Sequence, residues 1–156
     1  MTKKKSAVVS KCSNYRYLLE RVWDENQPKV GFIMLNPSKA DELQDDPTIR
    51  RCINFAKSWG YGGILVGNIF AFRETDPKKM FTASDPVGPD NQKYLKHLYN
   101  EVEVIVCAWG SSFGIPDKIK VFSKKLYYLD LQKDGTPKHP LYLKSSLIPK
   151  PLNIIL

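Results

Sequence analysis

The chain has 156 residues, 42% of them hydrophobic, and carries 24 Lys and Arg against 16 Asp and Glu, for a formal net charge of +8 and a pI near 9.3. That length fits one domain over residues 1–156 with a single core. It holds no apolar run near the roughly 18 residues a bilayer span needs, and Ala7-Val8-Val9 after Lys3-Lys4-Lys5 is too short for a secretory core, so a cytoplasmic protein with a flexible basic tail over 1–10 is expected. The three cysteines, 12, 52 and 107, are odd in number and lack paired spacing, which predicts free thiols, no disulfide framework and no metal or other cofactor. The positive balance favours a polyanionic partner, although Lys3-Lys4-Lys5 and Lys124-Lys125 also fit a solvated surface.

In chain order, residues 11–23 mix Tyr15, Tyr17, Leu18, Leu19, Val22 and Trp23 with Arg16 and Arg21, a pattern that fits a strand, a short helix or both. Residues 30–35 then read as a buried strand. Pro37 cannot continue a ladder, so Asn36 is presented at that strand's carboxyl end, where open α/β sheets put their chemistry. From Pro47 the apolar spacing of Ile49, Cys52, Ile53, Phe55 and Ala56 predicts a helix closed by Trp59-Gly60. Asp46 is either the N-cap of this helix, with Arg50 pairing to it across the first turn, or a carboxylate belonging to a site that Arg50 orients. Tyr61-Gly62-Gly63 returns the chain to a second strand, 64–68, which completes a right-handed parallel unit.

The stretch 75–89 carries the turn chemistry of a surface loop. A helix follows over 90–100 with Asp90 as N-cap, then a third strand at 104–108 leading into Trp109-Gly110. A short helix within 115–125 precedes a fourth strand, 126–129, with His139-Pro140 downstream. This βαβαβαβ pattern predicts an α/β fold, a three-layer α/β/α sandwich around a mainly parallel four-stranded central sheet, with one site built from several strand ends.

Two resemblances follow from these residues. Across 12–143, the series Tyr15-Arg16-Tyr17, Leu35-Asn36-Pro37-Ser38, Asp46-Pro47-Thr48, Ala71-Phe72-Arg73, Asp85-Pro86-Val87-Gly88, Trp109-Gly110 and His139-Pro140-Leu141-Tyr142 resembles a bacterial and phage family known as domain of unknown function 1643. The order of four strand-end motifs, Asn36-Pro37, Asn68, Trp109-Gly110-Ser111 and His139-Pro140, is similar to that of the uracil-DNA glycosylase superfamily.

The second resemblance implies a glycosylase-like fold and cleavage of an N-glycosidic bond in DNA, rather than RNA, or in a nucleotide. Asn36 would hold the water, His139 would donate to the departing base, and Asn68, Trp109, Ser38 and Ser111 would contact the base or substrate. Arg50 and Arg73 are the candidate phosphate contacts, with ion pairs to neighbouring Asp residues as their other reading, and Asp46 is the candidate carboxylate. The chain departs from that superfamily at Asn36, where its strong members carry Asp, because an amide is no general base near neutral pH. Two other outcomes stay open: a binding module without turnover, and an enzyme using Asp46 and Arg50 on a free nucleotide.

Overall fold

A computed structural model describes residues 3–110 and 114–154. Among them, seven strands form one mixed sheet: β1 (Lys4–Val9), β2 (Arg16–Val22), β3 (Lys29–Met34), β4 (Gly63–Asn68), β5 (Ile105–Cys107), β6 (Leu126–Tyr128) and β7 (Lys150–Pro151), in the order β1-β2-β4-β3-β5-β6-β7. The neighbours β4-β3-β5-β6 are parallel, whereas β1, β2 and β7 join antiparallel. This corrects the expected four-stranded, mainly parallel sheet. The expected strands are the parallel centre of a wider sheet; residues 11–23, whose pattern fits a strand, a short helix or both, supply β2 with its charges at positions that the strand buries, and the flanks outside them are the lysine-rich β1 and the two-residue β7. Residues 4–9, expected as part of a tail, pair along β2.

The helices are α1 (Pro47–Ser58), α2 (Pro77–Met80), α3 (Asn91–Glu101) and α4 (Asp117–Lys120), with 3-10 turns at Ser123–Lys125 and Pro140–Tyr142. Strand alternation sends side chains to two cores. Val30, Phe32 and Met34 of β3, with Ile64 and Val66 of β4, pack on Ile49, Cys52 and Ala56 of α1. Ile33, Leu65, Ile105 and Cys107 face Leu95 and Leu98 of α3 on the other side. Gly31 admits α3 closely, since a Cβ there would lie 2.9 Å from Leu98 Cδ2.

The helix expected from Pro47 is α1, and Asp46 is its N-cap, its Oδ1 accepting from Ile49 N at 2.8 Å. Asp90 stands at the N-cap position of α3 without a side-chain cap bond. The loop 75–89 contains the single turn of α2, capped by Asp76. Among the described residues no helix is long and apolar enough to cross a membrane. Cys12 is an exposed free thiol, and Cys52 and Cys107 are buried free thiols.

Candidate functional site

Strand β3 lies at the reversal of strand order: it connects through α1 to β4 on one side, and the chain returns through α3 to β5 on the other. The crevice beyond the carboxyl ends of β3 and β5 is where such sheets leave room for a ligand. A cavity of about 60 Å³ lies there, lined by Arg16, Leu35, Asn36, Ser38, Thr48, Val66 and His139 among others. An open cleft of about 310 Å³ shares Asn36, Ser38, Thr48 and His139 with it and adds Lys39, Asp46 and Leu141. A larger cavity of about 380 Å³ between α3 and α4 is mainly apolar, so the β3 end is where polar side chains converge.

The backbone bonds Ile69 N to Met34 O and Phe70 N to Leu35 O, both 2.9 Å, carry the β3–β4 pairing one step past the strands and fix the position of Asn36. Asn36 Nδ2 donates to Glu74 O, which orients the amide and leaves Oδ1 to accept from a ligand or water. His139 is held from three directions. Its Nδ1 accepts from Leu141 N at 3.1 Å, and because a backbone N–H only donates, the neutral ring carries its proton on Nε2. Arg51 Nε donates to Pro140 O at 3.3 Å, tying the loop to α1. Gly110, at φ +68°, lies so close that a Cβ there would stand 2.7 Å from His139 Cβ. Burial holds the imidazole below its ordinary value of 6.5, with Asp46 acting in the opposite direction.

Asp46 is ionised and fully engaged. Burial works against its charge, but hydrogen bonding from Ser38, Ile49 N and Ala40 N, and the nearby Arg16, outweigh it and keep the carboxyl below its usual range. Ser38 Oγ sits beside this carboxyl without a hydrogen bond of regular geometry. Such a carboxylate is a weak base, so Asp46 orders the start of α1 better than it would take a proton from water.

The structure thus brings together Asn36, Ser38, Asp46 and His139. Asn68, the last residue of β4, does not line the cavity: it is fully buried, and neither of its side-chain amide atoms has a partner. Trp109 is not brought to the site: its ring packs in the α3-side core and its Nε1 donates to Gly114 O at 2.9 Å. The Trp109-Gly110 pair therefore serves His139 through the glycine. Arg50 is exposed and donates to Asp45 O at 3.4 Å, and Arg73 is exposed with its Nη1 3.5 Å from Ser13 O, so neither lines the cavity. Ser111 lies outside the described residues. Among the described residues no three His, Cys, Asp or Glu side chains cluster to hold a metal ion.

Sequence reasoning missed Arg16, which is 1% exposed and lines the inner cavity. The cause is a β-bulge. Val8 pairs with Leu18 and Val9 with Arg16, so the register slips at Tyr17. Tyr17 stacks on Tyr94 of α3 and Leu18 joins the α3-side core, two successive residues on one face, and the slip turns Arg16 toward α1 and the cleft.

Residues 16–141 match the model of the family described as protein of unknown function, DUF1643. The chain belongs to that family. No curated protein and no solved structure matches the chain. The family match starts at Arg16 and ends just past His139, so its bounds take in every described site residue.

Proposed function

We propose that this cleft binds a nucleobase in DNA and hydrolyses its N-glycosidic bond, in the manner of a uracil-DNA glycosylase-like site carried on an α/β sheet. The observation that carries this reading is the convergence of Asn36 and His139 on one cavity, with the His139 tautomer set to present Nε2–H. Breaking the bond develops positive charge on the sugar and negative charge on the base, so the reaction needs a placed water and a donor to the leaving group more than it needs a strong base. Asn36 Oδ1 holds the water. His139 Nε2–H donates to a base carbonyl, and the low pKa of the ring keeps it neutral. The same superfamily order of motifs, Asn36-Pro37, Asn68, Trp109-Gly110 and His139-Pro140, supports the assignment, as does the +8 charge for a DNA partner.

The test is base release from oligonucleotides carrying uracil, hypoxanthine, mismatched or modified pyrimidines. Asn36→Ala and His139→Ala are each expected to lower the single-turnover rate by about 10²-fold or more. Salt-sensitive DNA binding with no release from any substrate overturns the reading in favour of a binding module without turnover.

A further inference from the structure

We propose that Arg16, which lines the inner cavity, holds the negative charge that develops on the departing base. This rests on the glycosidic reading above and adds to it a residue that acts on the leaving group.

Arg16 is a buried cation that the protein leaves partly unsatisfied. Its Nη1 donates to Ala40 O at 2.6 Å and reaches Ser38 O at 3.5 Å, while Nε is buried without a partner and no carboxylate forms an ion pair with it among the described residues. Burial lowers its pKa to about 10, countered in part by Asp46, so the guanidinium remains charged at neutral pH. A buried charge without a partner is costly, and a group seated in the adjoining cavity would supply one. Met34, Leu35, Ile49 and Val66 give the cavity an apolar side that suits a planar ring, alongside the polar Asn36, Ser38, Thr48 and His139 in its lining.

In the reaction the C1′–N bond breaks and its electron pair passes to the base, delocalising onto the carbonyl oxygens. The water oxygen bonds to C1′, its proton goes to solvent, and the base anion later takes a proton from solvent. Arg16 donates to the charged oxygen throughout.

The experiment compares the wild-type chain with Arg16→Met and Arg16→Lys on oligonucleotides carrying 5-fluorouracil, uracil and thymine, whose leaving-group acidity falls in that order. Arg16→Met is expected to lose about 10²-fold on uracil, less on 5-fluorouracil and more on thymine, with partial recovery in Arg16→Lys. An equal loss on all three, or no loss, makes Arg16 a structural residue and overturns the proposal while base release by the wild type leaves the glycosidic reading standing. A second arm measures calorimetric binding of free 5-fluorouracil below and above the pH at which it ionises. If no substrate releases its base, the glycosidic reading falls; binding that tightens on ionisation in the wild type but not in Arg16→Met then upholds the anion site, and pH-independent binding or no binding overturns it. Arg16→Gln is the substitute where Arg16→Met does not fold.

Discussion

Arg16 and Arg21 sit five residues apart on β2, both essentially without solvent exposure and both turned to the α1 side, yet their surroundings differ in kind. Arg21 is saturated. Its Nε pairs with Asp45 Oδ1 at 2.7 Å, Nη1 donates to Glu20 O at 2.9 Å, and Nη2 donates to Asp41 O and, at 3.2 Å, to Gln44 O. It therefore pins the loop that leads from β3 into α1. Arg16 contacts the same loop through one nitrogen, at Ser38 O and Ala40 O, and leaves Nε unpartnered beside a cavity. One strand thus supplies a scaffold cation and a site cation. What separates them is how many of their donors the protein itself satisfies.

Substitution by Met should separate the two arginines most clearly. Arg21→Met leaves the Asp45 carboxylate, only 20% exposed, with Lys5 at 3.9 Å as its remaining cation and strips two loop carbonyls of a donor, and is expected to cost about 3 kcal/mol in urea unfolding. Arg16→Met removes an unpaired buried charge and leaves a side chain of similar length, so stability should shift by no more than about 1 kcal/mol in either direction. Equal destabilisation at both positions would show that the two arginines play the same part.

The same division governs what was legible in the sequence. The parallel centre was readable because β3, β4, β5 and β6 are short apolar runs bounded by turn residues, and α1 because its apolar spacing and its Asp-Pro start agree. Asn36, Ser38, Asp46 and His139, which the structure brings to one cleft, could be singled out because each adjoins a proline that marks the end or the start of an element. Arg16 was not readable, since its direction depends on a register slip between β1 and β2, a property of the pairing and not of either strand. Trp109 packs in the core, and its motif neighbour Gly110 is the residue that meets His139.

Two glycines show the same contrast at a smaller scale. Gly110 and Gly114 both have positive φ, +68° and +61°, so a side chain at either position strains the backbone by about 1 kcal/mol. Only at Gly110 does a Cβ also meet the His139 backbone, at 3.0 Å from its nitrogen, whereas nothing lies within 4 Å at Gly114. Gly110→Ala should therefore reduce base release by about tenfold or more through displacement of His139, and Gly114→Ala should leave it unchanged at a similar loss of stability. Parallel loss of activity in both variants would show that Gly110 serves the fold alone.

The smallest expected effect concerns Asp46, which stands near both Arg16 and His139 and acts on each through charge. Because burial keeps the His139 ring below 6.5 in the folded chain, the unfolded chain takes up that proton first as pH falls. Between the two values stability consequently rises with pH, and above the unfolded value this contribution is constant. Protonating Nδ1 would set two donors against each other at Leu141 N, so base release should hold to below the ordinary imidazole pH and then decline. Asp46→Asn retains a side chain able to cap α1 but removes the charge that raises the His139 pKa, so the acid limb of the pH–rate profile should move to still lower pH. NMR of the imidazole nitrogens in both proteins reads the same shift without activity, and a limb that stays in place or moves upward would mean that Asp46 does not act on His139 electrostatically.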